Sequence, residues 1–174
     1  MKNKKLKLSE LGRISEAEFK KADKAPVVVV LDNIRSMHNV GSFFRTADAF
    51  RLEKIMLCGV TAKPPHRDIE KTALGATNTV AWEYFKDTSE ALQSLKTEGK
   101  IICSIEQTQN SISLPEFEVE KDKSYALIFG NEVKGVQQSV INESDFCIEI
   151  PQFGTKHSLN VSVCGGVVLW YFVS

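Results

Sequence analysis

From residue 26 onward the apolar positions switch repeatedly between two rhythms, unbroken runs and recurrences every three or four residues. Residues 27–31, Val-Val-Val-Val-Leu, are a continuous β-branched run, the pattern of a strand covered on both faces. Val40, Phe43, Phe44, Ala47 and Phe50 then fall at helical spacing over 39–50. Residues 54–58 predict a second strand closed by Gly59, 68–74 a short helix, and 79–85 a strand. Asp87 is placed to cap a helix carrying Ala91, Leu92 and Leu95, which Gly99 stops. Strands are predicted at 101–105, 125–129 and 146–150, the last ended by Pro151, with a polar loop containing Pro115 after the first. Residues 136–141 predict a helix, and 158–172, apolar with small residues, a buried C-terminal helix.

Strands that alternate with helices imply right-handed crossovers, hence an α/β fold with a mostly parallel sheet and helices on both faces. In such sheets a ligand binds beyond the carboxyl ends of the strands, so the segments after each strand are where chemistry is expected. Residues 1–25 differ from the rest. They hold eight Lys/Arg against four acids, and Leu8, Leu11, Ile14 and Phe19 approximate one helical face. This segment reads either as a helix or arm packed on the domain or as a basic arm touching nucleic-acid phosphate.

Composition narrows the class. The 174 residues fit one domain, and 43% hydrophobic with 25% charged residues is ordinary for a globule. The net charge of zero argues against a whole-surface polyanion binder but leaves room for a local basic patch. The longest apolar stretch, 161–173, is too short for a membrane span, and the basic residues 1–7 are not followed by the apolar run of a secretory signal. Cys58, Cys103, Cys147 and Cys164 show no C-x-x-C and no metal-ligand spacing, so they read as reduced core thiols of a cytoplasmic protein.

Three post-strand segments carry candidate chemistry. In the first, Asn39 opens the helix and Arg45 sits nearly two turns in, there either to pair with a surface carboxylate or to reach an anionic substrate. In the second, Phe129-Gly130-Asn131-Glu132-Val133-Lys134-Gly135, two glycines bracket an acid, as in a plain strand-to-helix turn or a close backbone approach to a ligand. Neither a P-loop nor a dinucleotide fingerprint is present. In the third, residues 150–163, Ser158 or Asn160 can cap the following helix, and His157 is a loop histidine with a solvated or a general-base reading.

Taken together and in this order, the segments resemble motifs one, two and three of the SpoU/TrmH-type RNA ribose 2′-O-methyltransferases of the SPOUT superfamily. The matching residues are His38-Asn39-Val40-Gly41 with Arg45, Phe129-Gly130-Asn131-Glu132 with Gly135, and Ile150-Pro151 with Ser158-Leu159-Asn160-Val161-Ser162. The resemblance implies a methyltransferase domain over 26–174 behind a short arm over 1–25, with the C-terminal portion threaded into a trefoil knot. It implies S-adenosylmethionine as cofactor, bent in a pocket formed by Ile105, Gly130, Asn131, Glu132, Gly135, Ile150, Ser158 and Leu159.

The implied reaction is methyl transfer to a ribose hydroxyl of tRNA or rRNA. Arg45 is the implied hydroxyl-activating group, and Asn39, Glu132, Ser158 and Asn160 position RNA, cofactor and Arg45. A guanidinium rarely gives up its proton, so activation through an RNA phosphate stays open beside a direct role. No metal is implied. A homodimer is, with Gly165 and Gly166 permitting close helix packing between copies. RNA would be held by Arg35, Lys63, His66, Arg67, Lys71 and the N-terminal lysines. Glu106, just past Ile105, is an acid near the implied cleft to which the resemblance gives no role. The rival readings are a non-catalytic RNA-binding module of the same fold and a small-molecule α/β enzyme.

Overall fold

The computed structural model describes residues 3–174; Met1, Lys2 and the side chain of Leu8 lie outside the described residues. Seven strands form one parallel sheet: β1 (Ala25–Asp32), β2 (Leu52–Cys58), β3 (Trp82–Phe85), β4 (Ile101–Ile105), β5 (Ile112–Ser113), β6 (Tyr125–Phe129) and β7 (Phe146–Glu149). Their order across the sheet is β3-β2-β1-β6-β4-β7-β5. The helices are α1 (Glu16–Lys21), α2 (Met37–Ala49), α3 (Arg67–Ala73), α4 (Thr88–Thr97), α5 (Gln138–Asn142) and α6 (Val161–Val173). The valine run is central because alternate residues serve opposite faces. Val27, Val29 and Leu31 share a core with Phe43, Phe44, Ile69, Val168 and Leu169, whereas Val28 and Val30 pack with Ala91, Leu92, Leu95 and Val140. Among the described residues no helix is long and apolar enough to cross a membrane.

Several boundaries differ from the sequence reading. Ser36, not Asn39, caps α2: its hydroxyl accepts from the Asn39 amide at 3.3 Å, so Asn39 lies inside the first turn. Residues 76–78 form a single 3-10 turn and β3 starts only at Trp82, because the Thr79 hydroxyl turns back to bond Asp48 and Ala76 instead of extending. The polar loop after β4 hides the two-residue β5, too short to leave a periodic signal.

The segment 8–19 is not one amphipathic helix. It comprises a 3-10 turn and, after the Ser15/Glu18 capping box, α1; among the described residues only Phe19 is buried, while Leu11 and Ile14 are exposed. α6 starts at Val161 with Asn160 as its cap and is buried along one side only, through Gly165, Val168, Leu169 and Phe172. Its other side exposes Val163 (54%), Val167 (44%) and Trp170 (61%). Hydrophobicity all round a helix cannot tell the covered side from the open one.

Candidate active site

The carboxyl ends of β4, β6 and β7 open into a cleft of about 530 Å³. Ile105 lines it from β4. Gly130, Asn131, Glu132 and Gly135 line it from the turn after β6, and Ile150, Ser158, Leu159 and Asn160 from the segment after β7. The turn is tight: the Asn131 and Gly135 backbones bond each other at 3.0 and 2.9 Å, and the Asn131 carboxamide oxygen accepts from the amides of Val133 and Lys134. Only glycine fits at 130, because a Cβ there would run into the backbone of Gly135 and Val136.

Asn39, Glu132 and Asn160 meet at the rim. The Glu132 carboxylate accepts from the backbone amides of Arg35 (3.0 Å) and Ser36 (2.9 Å) and from Asn39 Nδ2 (3.0 Å). Asn39 Oδ1 in turn accepts from Asn160 Nδ2 at 3.2 Å. Asn160 Oδ1 accepts from the amides of Ser162 (3.0 Å) and Val163 (3.2 Å) and so caps α6. The chain of bonds is polarised, each carboxamide donating toward the carboxylate and accepting from the side of α6. This direction fixes both amide orientations. Burial pushes the Glu132 pKa up, but the Arg35 and Ser36 amides, with Asn39, outweigh it and hold the carboxyl below its ordinary value.

Glu106, which had no role from sequence, closes the other side of the turn. Its carboxylate accepts from the amides of Val136 and Gln107 at 2.9 and 2.8 Å. Asp32, fully buried at the end of β1, is a second missed anchor: it accepts from the Thr88 hydroxyl (2.6 Å), the Gln137 backbone (3.0 Å) and the Gln137 side chain (2.8 Å). Both acids stand at strand carboxyl ends, where the topology rule directs attention. Their partners, at least thirty positions away in every case but Gln107 and Asn33, were the illegible part.

Arg45 is not part of this cluster. Six residues beyond Asn39, it sits about 9 Å further along α2 and roughly two-thirds of a turn round. There it lines a separate depression with Glu16, Asp48, Leu74 and Thr79. It is exposed, and among the described residues it makes no ion pair. Ser158 and His157 also line the cleft but are exposed. Gly165 serves packing within the chain, against the Phe43 ring, while Gly166 faces open space. Of the cysteines, Cys58 and Cys103 are buried and all four are free; burial pushes the Cys58 thiol up to about 12 and that of Cys164, which borders the cleft, to about 11.

Comparison with known proteins gives this geometry its relatives. The 23S rRNA (guanosine-2′-O-)-methyltransferase RlmB of Neisseria meningitidis is 31% identical over 148 residues, which is 83% of this chain and 56% of that protein. The A. aeolicus TrmH/SpoU tRNA modifying enzyme superposes with a TM-score of 0.78 at 27% identity, over 90% of this chain and 78% of that one. The AdoMet-bound rRNA methyltransferase of Sinorhizobium meliloti shares the fold with a TM-score of 0.80 at 24% identity, over 88% and 59% of the two chains. The chain thus spans little more than half of the Neisseria enzyme. The model of the SpoU rRNA methylase family matches residues 26–170, across all three motif segments, and the chain belongs to that family.

Proposed function

We propose that the chain is an S-adenosylmethionine-dependent methyltransferase that acts on a ribose 2′-hydroxyl of tRNA or rRNA. One observation carries the reading: residues from all three motif segments are bonded through Asn39, Glu132 and Asn160 at the rim of one cleft beyond the strand ends. The cleft suits the cofactor. Its volume lies within the range of small-molecule sites, Ile105, Ile150 and Leu159 supply apolar walls, and the turn from Gly130 to Gly135 lines the cleft beside them. The Sinorhizobium relative, which shares the fold, binds AdoMet. When bound, S-adenosylmethionine supplies a methyl group on a sulfonium. Transfer to the hydroxyl forms one C–O bond, breaks one S–C bond and releases the hydroxyl proton.

The chain's own contribution is orientation. Glu132 ties the segment before α2 to the 130s turn, and Asn160 ties both to the start of α6, so the walls hold one register. Ser158, exposed beside the cleft, is available to the substrate. Arg45 stabilises charge on the attacking oxygen or holds the adjacent phosphate. It does so in the cleft of a second copy, because it is remote from its own.

A homodimer over α6 accounts for that position. Val163, Val167 and Trp170 form an exposed apolar stripe, Gly166 allows close approach, and Phe50 at the end of α2 packs its ring on Trp170 at 5.7 Å. The same reading includes knotted threading of the C-terminal segment, supported by the packing of Phe117 against the end of α6: the Tyr171 hydroxyl donates to Phe117 O at 2.7 Å and Phe117 stacks on Phe172. It also includes a basic arm over 1–25, a catalytic domain over 26–174 and work in the cytoplasm.

The test is labelled methyl transfer into total tRNA and rRNA, with mapping of the modified nucleotide, beside calorimetry with S-adenosylmethionine. Incorporation at a ribose is expected. Cofactor binding without incorporation into either RNA would reject the RNA substrate. No heat of binding would reduce the chain to a binding module.

A further inference from the structure

A second groove, of about 910 Å³, lies across the 130s turn from the cofactor cleft. Asn131, Val133, Lys134 and Gly135 border both, so the turn is a partition with one cavity on each side. The far wall comes from the ends of β1 and β2 through Asn33, Arg35 and Val60. Two features distinguish this groove. Arg35 and Lys134 stand on its margins, exposed, and among the described residues neither makes an ion pair. Val60 (68%) and Val133 (79%) offer bare apolar surface between them.

The amide donors that could read a base edge are committed elsewhere. Asn33 uses both ends, accepting from the Val60 amide and donating to Asp32. Gln137 Nε2 donates to Asp32, and Gln138 Nε2 to Asn142. Unpaired cations beside bare apolar surface, with the amide donors withdrawn, match a phosphate-and-base-face site rather than a base-edge reader. Arg35 is held at the partition by its own backbone, which donates to Glu132.

We infer that this groove seats the single-stranded RNA nucleotide next to the target, its phosphate between Arg35 and Lys134 and its base against Val60 and Val133, without preference among bases. The inference rests on the RNA methyltransferase reading and adds a subsite to it. The sequence of the target would then be set elsewhere, and the groove would supply grip and direction to the strand.

The test measures binding of total tRNA, of a twelve-residue oligouridylate and of an oligoadenylate of equal length, over a salt series. It compares the protein with Arg35→Gln and Val60→Glu, neither of which borders the cofactor cleft, and with Lys134→Gln. Calorimetry with S-adenosylmethionine reports that the Arg35 and Val60 variants are folded. The protein should bind both oligomers within about threefold of each other, as face-stacking and phosphate contact predict. Arg35→Gln and Lys134→Gln should each weaken binding about tenfold and flatten the salt dependence by about one phosphate contact. Val60→Glu should weaken it as strongly while cofactor heat persists. RNA binding that survives all three variants overturns the groove and leaves it to another partner class, such as an acidic protein segment. A strong preference for one oligomer overturns the base-tolerant part. Failure of the unaltered protein to bind any of the RNAs overturns the RNA reading itself.

Discussion

Asn39 Nδ2 donates to Glu132 Oε1 at 3.0 Å across a sequence separation of 93 residues. With the two backbone amides that share the carboxylate, this contact makes Glu132 the clasp between the segment before α2 and the 130s turn. The same contact explains why the residue must be ionised. A neutral carboxyl accepts less well and would present a proton to donors.

The clasp should be pH-sensitive. Glu132 has a folded pKa below its unfolded value, so its contribution is complete above the ordinary carboxylate range and is lost as pH falls toward the depressed value. Glu132→Gln should flatten that part of the acid-unfolding curve and leave the neutral region with a constant deficit. Because the side chain is largely open to water, the effect on stability should be modest, and the larger effect should fall on cofactor affinity. Thermal melts and calorimetry from pH 3 to 7 measure both. An unchanged acid limb in the variant would remove the clasp.

Asn39 and Asn160 should be energetically coupled. Asn160→Ala removes an N-cap from α6, worth about 1 kcal/mol, and strands Asn39 Oδ1. Asn39→Ala breaks the same bond from the other side. The double variant should therefore cost less than the two single losses together, by roughly 0.5 kcal/mol or more. A double-mutant cycle in urea tests this, and additivity would mean the 3.2 Å contact carries no energy.

Gly130→Ala should be worse than its size suggests. The added methyl meets backbone, which cannot rotate away, so the Asn131–Gly135 turn must open at an overpacking cost of about 1–3 kcal/mol. Calorimetry should show S-adenosylmethionine binding lost, while far-UV circular dichroism stays close to normal because six of the seven strands precede the turn and β7 is held by its own pairing with β4.

The sheet was legible in the sequence because 27–31 is an unbroken β-branched run and 101–105 and 125–129 are short, largely apolar segments bounded by glycine or polar residues. The eight cofactor-pocket positions implied by the family resemblance all border the cleft, since motif order and strand ends point the same way. What stayed hidden were relations across the chain. Asn39 read as a helix cap because it precedes the apolar stripe, but Ser36, three residues earlier, takes the cap and frees Asn39 for Glu132. The family resemblance had Asn39 position Arg45, yet helical rotation over six residues turns Arg45 to a different face. Gly165 looked available to a second copy but is filled by Phe43.

The displacement of Arg45 leads to the last prediction, on assembly. If two copies meet over α6, each Arg45 serves the other's cleft, and defects in different copies can complement. Arg45→Ala alone should abolish methyl transfer while cofactor affinity stays near normal; Gly130→Ala alone should abolish transfer by losing the cofactor. Mixed dimers of the two hold one cleft with an intact turn facing a copy with an intact Arg45, and should regain up to about half of the activity of the unaltered protein, whereas a site complete within one chain would regain none. Trp170→Glu supplies the structural control. It buries a charge in the apolar stripe, so sedimentation should find monomers that still bind S-adenosylmethionine but transfer no methyl group. A Trp170→Glu protein that remains dimeric would move the interface elsewhere, and an active monomer would return Arg45 to its own cleft.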